Sequence, residues 1–159
     1  MTDDETFMAR AIALSEHTSL VESAGGAFGA VIMRDGQIVG EGANRVVAEN
    51  DPTWHAEMAA IRNACRKEGN FKLHGATLYT SAEPCPMCMA AAYWAGISRI
   101  FYASTNEDAL KHGNFDDSMI YEEIRKPAGE RKIPIRQIMR AEAIEVWERY
   151  EAKADRVPY

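Results

Sequence analysis

The sequence lacks three features that each indicate a class of protein: an excess of basic residues, a long apolar run and a large, even set of cysteines. Eighteen Lys and Arg against 24 Asp and Glu give a formal charge of −6, which disfavours a protein that neutralises a long polyanion. The uncharged run from Pro84 to Ile97 is too short to span a bilayer. Together these absences favour a protein that binds or converts small molecules.

The cysteines are three in number, and two of them, Cys85 and Cys88, lie three residues apart. The chain begins with MTDDETF, acidic where a secretion signal is basic, so we expect a cytoplasmic protein that uses cysteine for metal or redox chemistry. A locally basic stretch from Arg125 to Arg140 keeps RNA open as a partner, although a solvated face is the simpler interpretation.

The length of 159 residues and the absence of a linker predict a single domain. Periodicity and turn signals predict an α/β protein with helices on both faces of a sheet and a parallel strand pair joined by a crossover helix. The predicted elements are a helix to about residue 19, strands at 28–33 and 38–47 around Asp35-Gly36, a helix from His55 to about Gly69, a strand at 76–81, a helix to Ala95, a strand at 98–104, and helices near 107–112, 119–124 and 141–152.

The informative pattern is His55-Ala56-Glu57 followed by Pro84-Cys85-Pro86-Met87-Cys88, which matches the H-x-E and P-C-x-x-C signature of zinc deaminases. Cys85 and Cys88 share one face of a helix start, where the terminal N–H groups favour thiolates. His55 adds a neutral imidazole. Three protein ligands leave the fourth position of a tetrahedral zinc ion open to water, and an open position indicates catalysis.

Glu57 is two residues beyond His55 and is placed to act on the activated water without being a ligand. It is the predicted proton shuttle of a hydrolytic deamination. The alternatives are a structural zinc module or a redox Cys pair. Cys65 lies about 15 Å along the same helix by helical rise, too far to be a fourth ligand, and is interpreted as an inert thiol. His17, His74 and His112 have no companion motif.

Beyond these motifs the chain resembles the cytidine-deaminase-like superfamily and, within it, the bacterial guanine deaminases. The resemblance is carried by HAE and PCPMC, and further by GGAFGAVI from Gly25, NDPTWHAE from Asn50, LYTSAEPCPMCMAAAYWAG from Leu78 and FDDSMIYEEI from Phe115. It implies a three-layer αβα sandwich with a mixed sheet of about five strands, one zinc ion per chain and conversion of guanine to xanthine and ammonia in purine catabolism. It also implies a homodimer in which the segment from about 141 to 159 is exchanged.

The resemblance further implies which residues contact the base: Phe28 and Trp94 by stacking, Asn44 by a hydrogen bond to the ring, Asp117 at the amidine-like edge, and in addition Ala56 and Tyr159. Other readings stay open, since Phe28 can be core, Asn44 can order its loop and Asp116 or Asp117 can cap a helix. Ala27, where relatives commonly have Pro, and the tail ADRVPY depart from the pattern. Guanosine, cytosine, an aminotriazine and tRNA adenosine therefore remain alternative substrates.

Overall fold

A computed structural model describes residues 2–158, which divide into two compact units with the boundary between Asp117 and Ser118. The elements of the first are α1 (Asp3–Glu16), a π-helical turn (His17–Val21), β1 (Gly29–Arg34), β2 (Gln37–Ala43), α2 (Val46–Glu49), α3 (Ala56–Glu68), β3 (Thr77–Ala82), α4 (Pro86–Ala95), β4 (Arg99–Ser104) and α5 (Asn106–Gly113). The second contains α6 (Ser118–Arg125), a short 3₁₀ turn (Ala128–Glu130) and α7 (Arg140–Glu151).

Local signals explain how the first elements begin and end. Thr2 and Glu5 form the expected capping box, in which the Thr2 hydroxyl accepts the Glu5 N–H and the Glu5 carboxylate accepts the Thr2 N–H. Asp35 and Gly36 both have positive φ, at 51° and 75°, as a tight hairpin turn requires. The strand predicted to reach Val47 ends instead at Ala43. The reason is that the Asn44 side chain accepts the Val46 N–H and starts α2.

The sheet has the order β2-β1-β3-β4. β1 is antiparallel to both of its neighbours, whereas β3 and β4 are parallel and are connected through α4. The mixed sheet and its parallel pair confirm the sequence interpretation. The expected count of about five strands is wrong for the described residues, because residues 105–158 form helices, turns and irregular segments but no strand.

Helices cover both faces of the sheet. On one face α1 packs through Ala11 against Val31 and Tyr79. On the other, the small residues of α3 meet the apolar residues of the sheet in the larger core cluster. This is the helix–sheet–helix layering that the resemblance implied. No helix within residues 2–158 is long and apolar enough to cross a membrane.

Glycines in β2 set the distance between the sheet and α3. A Cβ on Gly42 would overlap the carbonyl oxygen of Ala56, and one on Gly40 would overlap that of Ala60. Only residues without a side chain allow this approach. The first turn of α3, which follows His55, is thereby held directly against the strand.

Candidate active site

Two helix starts bring the three predicted ligands together. His55 is the N-cap of α3 and Cys85 the N-cap of α4, with Cys88 in the first turn of α4. The Nδ1 atom of His55 lies 3.4 Å from the Cys85 Sγ and 3.5 Å from the Cys88 Sγ. One ligand atom from each residue falls within 4.8 Å of the other two. Three side chains from two separate segments of the chain thus converge on one point.

The charges in this cluster suit a cation. Interaction with Cys88 and His55 lowers the pKa of the Cys85 thiol. Cys85 in turn raises the pKa of His55 and that of Cys88. A cation that displaces the thiol protons would meet two thiolates and an imidazole, the soft donor set that zinc prefers. The donors present therefore fit a zinc ion.

Glu57 lies beside the cluster and is not a member of it. The residue is only 4 % exposed. Its carboxyl group accepts a hydrogen bond of 3.3 Å from the Thr80 hydroxyl and one of 3.4 Å from the Cys88 thiol. Burial raises the pKa of this carboxyl above its usual value. A carboxyl group in this position could hold or release a proton next to the three ligands.

A cavity of about 220 Å³ opens on the cluster. Two aromatic rings form one wall, Phe28 and Phe115, whose centroids lie 5.0 Å apart with the rings nearly perpendicular. Among the described lining residues there is no Lys or Arg, whereas Glu57, Glu83 and Asp117 all contribute carboxyl groups. The remaining lining residues are Gly26, Asn44, Val46, Val47, Pro52, His55, Cys85, Asn106 and Ala109.

Asn44 enters the cavity wall with its amide group oriented. The Oδ1 atom accepts the N–H groups of Gly26 and Val46, each at 3.2 Å. Because the oxygen is held by two donors, the amide NH₂ is the group left to donate. No partner for that NH₂ is found among the described residues. The wall thus offers a hydrogen-bond donor at Asn44.

Asp117 offers the cavity a hydrogen-bond acceptor, in contrast to the donor at Asn44. It is half-buried and lines the cavity, whereas the neighbouring Asp116 is exposed. Burial, followed by the nearby Cys85, raises the pKa of the Asp117 carboxyl. As a carboxylate it would accept donors from a bound molecule.

Comparison with known proteins agrees with this geometry. Residues 1–104 match the family model for the cytidine and deoxycytidylate deaminase zinc-binding region. The chain belongs to this zinc-dependent deaminase family. The guanine deaminase of Bacillus subtilis is 47 % identical over 155 residues, covering 98 % of each chain, and its crystal structure superposes with a TM-score of 0.92. The tRNA-specific adenosine deaminase of Agrobacterium fabrum is 43 % identical over 93 residues, 58 % of this chain and 61 % of the other.

In this deaminase the cluster of His55, Cys85 and Cys88 is suitable for one zinc ion. Phe28, Asn44 and Asp117 lie on the same cavity as that cluster.

Two residues expected at the base lie elsewhere in the deaminase, and a third falls outside the described residues. Trp94 is 67 % exposed and does not line the cavity, because nine residues separate it from Cys85 and place it about half a turn round α4. Ala56 is fully buried in the core next to Gly42. Tyr159 is outside the described residues.

Phe115 and Glu83 are among the lining residues that sequence reasoning missed. Phe115 lies two residues before Asp117, which the resemblance implies as a contact to the base. An aromatic residue so close to a predicted site residue is the signal that could have identified it. Glu83 precedes the Pro-Cys motif, and its carboxylate accepts the Asn106 N–H at 3.1 Å. This bond ties the ligand-bearing segment to the start of α5.

Proposed function

We propose that this deaminase converts guanine and water to xanthine and ammonia. The observation that supports guanine as the substrate is the extent of the match to the Bacillus subtilis guanine deaminase. It covers 98 % of both chains, so it continues past residue 104, where the family model stops, and takes in the segment from Phe115 to Asp117. The tRNA-specific relative matches only 58 % of the chain.

The polarity of the cavity supports a neutral purine. An amide donor at Asn44 and a carboxylate acceptor at Asp117 complement a base that presents an acceptor on one edge and N–H donors on another, as guanine does. The perpendicular rings of Phe28 and Phe115 offer an apolar wall to a flat heterocycle. The absence of Lys and Arg from the described lining disfavours a phosphorylated substrate.

The mechanism that we propose needs one cofactor, zinc, held by His55, Cys85 and Cys88. Zinc, when bound, supplies the Lewis acid that makes water acidic enough to attack a ring carbon near neutral pH. Glu57 takes a proton from the attacking water on its buried carboxylate. It then donates that proton to a ring nitrogen and helps transfer a second to the departing ammonia. Phe28, Asn44 and Asp117 hold the base while this happens.

The proposal extends to the assembly. We expect residues 1–159 to act as one deaminase domain, in a homodimer that exchanges the segment from about 141 onward and closes a site with Tyr159. Support comes from the large apolar side chains that are exposed in the second unit, among them Ile133, Ile138 and Trp147. The cytoplasmic location remains a prediction from the sequence.

A substrate panel tests the proposed function. Zinc-loaded protein is incubated with guanine, guanosine, cytosine, cytidine, adenine and a tRNA anticodon stem, and ammonia release is measured. Guanine should give the highest kcat/KM, with xanthine as the product. Activity confined to the tRNA stem or to cytosine would contradict the proposal, and absence of ammonia release from every compound would contradict deamination itself.

A further inference from the structure

A buried threonine that does not itself line the cavity holds the main chain of Asn44. Thr18 lies in the π-helical turn His17–Val21 and is 1 % exposed. Its hydroxyl donates a hydrogen bond of 2.6 Å to the carbonyl oxygen of Asn44, 26 residues along the chain. Asn44 is itself only 4 % exposed, so water has little access to that carbonyl.

The face of the helix on which Thr18 lies is otherwise the core face. Ala11 and Ser15 are buried at helical spacing before it, and the widened turn closes with the Glu22 N–H bonded to the His17 carbonyl oxygen. The Ser15 hydroxyl bonds back to its own helix. Thr18 differs because its hydroxyl leaves the helix and meets another segment.

A second connection runs through the Thr18 carbonyl. It accepts the Ala24 N–H at 2.8 Å, and the Ala24 carbonyl accepts the N–H groups of Val47 and Ala48. Val47 lines the cavity. Thr18 is therefore bonded, directly and through Ala24, to both ends of the short segment that begins at Asn44.

Four hydrogen bonds hold the main chain and the side-chain oxygen of Asn44. Its N–H donates to the Phe28 carbonyl at 3.0 Å, its carbonyl accepts from Thr18, and its Oδ1 accepts from Gly26 and Val46. Asn44 lines the cavity, and these bonds fix the orientation of its amide group. The Thr18 hydroxyl is the side-chain group that donates to the main chain of Asn44. Removing this hydroxyl would leave the buried Asn44 carbonyl without that donor.

We propose that Thr18 is a positioning residue for substrate binding, which acts by fixing the main chain of Asn44 and hence the direction of its NH₂ donor. The inference rests on the proposed function, in which that donor meets the base. His55, Cys85 and Cys88 take no part in the bond, so zinc binding and the chemical step should be independent of it.

The test uses variants that differ in one hydroxyl. Thr18→Val and Thr18→Ala lack it, Thr18→Ser keeps it, and Ser19→Ala removes a neighbouring hydroxyl that bonds to the Ser15 carbonyl within the same helical segment. Each variant is measured for zinc per chain, thermal unfolding, and kcat and KM for guanine.

The hydroxyl-free variants at position 18 should raise KM by about 3- to 10-fold, the worth of one hydrogen bond, while kcat and zinc content stay within about twofold of wild type. Thr18→Ser and Ser19→Ala should keep the wild-type KM. A wild-type KM in Thr18→Val, or a KM increase in Ser19→Ala equal to that of Thr18→Val, would overturn the inference, because the threonine would then be a packing residue only.

Asn44→Ala separates this inference from the function on which it rests. If KM rises strongly in this variant and does not change in the hydroxyl-free variants at position 18, the positioning role of Thr18 is refuted and the proposed function stands. An unchanged KM in Asn44→Ala refutes the contact between Asn44 and the base, and the role of Thr18 with it. If both sites carry the effect, the double variant should add little to Asn44→Ala alone.

Discussion

Replacing Glu57 with Gln should stop turnover without releasing zinc or unfolding the protein. Gln keeps the shape of Glu and an oxygen that can accept the Thr80 hydroxyl bond of 3.3 Å, but it cannot carry a proton between water and the leaving group. We expect kcat to fall by about 10²–10⁴, which corresponds to roughly 3–5 kcal/mol of barrier. No other property should change on this scale.

The structure also indicates the sign of the stability change. The Glu57 carboxyl is almost fully buried, and burial is the main cause of its raised pKa. A neutral amide in the same place avoids the cost of burying a charge. The melting temperature of Glu57→Gln should therefore equal or exceed that of the wild type.

Three measurements on one preparation decide the matter: zinc per chain, thermal unfolding, and the rate of xanthine formation at saturating guanine. Glu83→Gln is the matched control, since Glu83 lines the same cavity but bonds to the Asn106 N–H, and its kcat should fall by less than about tenfold. Turnover near the wild-type value in Glu57→Gln with zinc bound would refute the shuttle.

Three further predictions follow from other residues. Asp117→Asn should retain zinc and lower kcat/KM for guanine by more than about tenfold, whereas Asp116→Asn, with an exposed side chain, should have a smaller effect; equal mild losses would make both residues structural. Deleting residues 155–159 should lower kcat/KM while the zinc content and the melting temperature stay unchanged. An unchanged kcat/KM would contradict the proposal that the tail closes a site. The bidentate bond from Arg10 lowers the pKa of Glu41, so the pair stabilises the fold fully above the unfolded pKa of Glu41 and loses this effect as pH falls through the lower folded pKa. Arg10→Gln should therefore lower the free energy of unfolding by about 0.5–1 kcal/mol at pH 7, after allowance for solvent screening, and leave it unchanged near pH 2. Urea unfolding at the two pH values measures the difference.

The helix starts that carry the ligands were predictable because they depend on local signals. Helix starts at His55 and Cys85 could be read from Pro, Cys spacing and apolar periodicity, and each puts a ligand at the N-terminal end of a helix. The strand–helix–strand pattern around Cys88 likewise predicted the parallel pair of β3 and β4. These features require no knowledge of distant parts of the chain.

The features that sequence reasoning missed depend on contacts between distant segments. The end of β2 is set by the Asn44 side chain, which bonds to Gly26 as well as to Val46. Trp94 is the exception, because its helical spacing from Cys85 alone places it about half a turn round α4 from that ligand. Phe115 reaches the cavity wall only because the chain after α5 returns to Phe28.

The most direct test of the central claim is a zinc titration of the metal-free protein. Metal is removed with a chelator, zinc is added back in fractions of an equivalent, and xanthine formation from guanine is followed at each step. The rate should rise in proportion to bound zinc and reach its limit at one ion per chain. A full rate in the metal-free protein, or no xanthine at one bound zinc per chain, would contradict a zinc-dependent guanine deaminase.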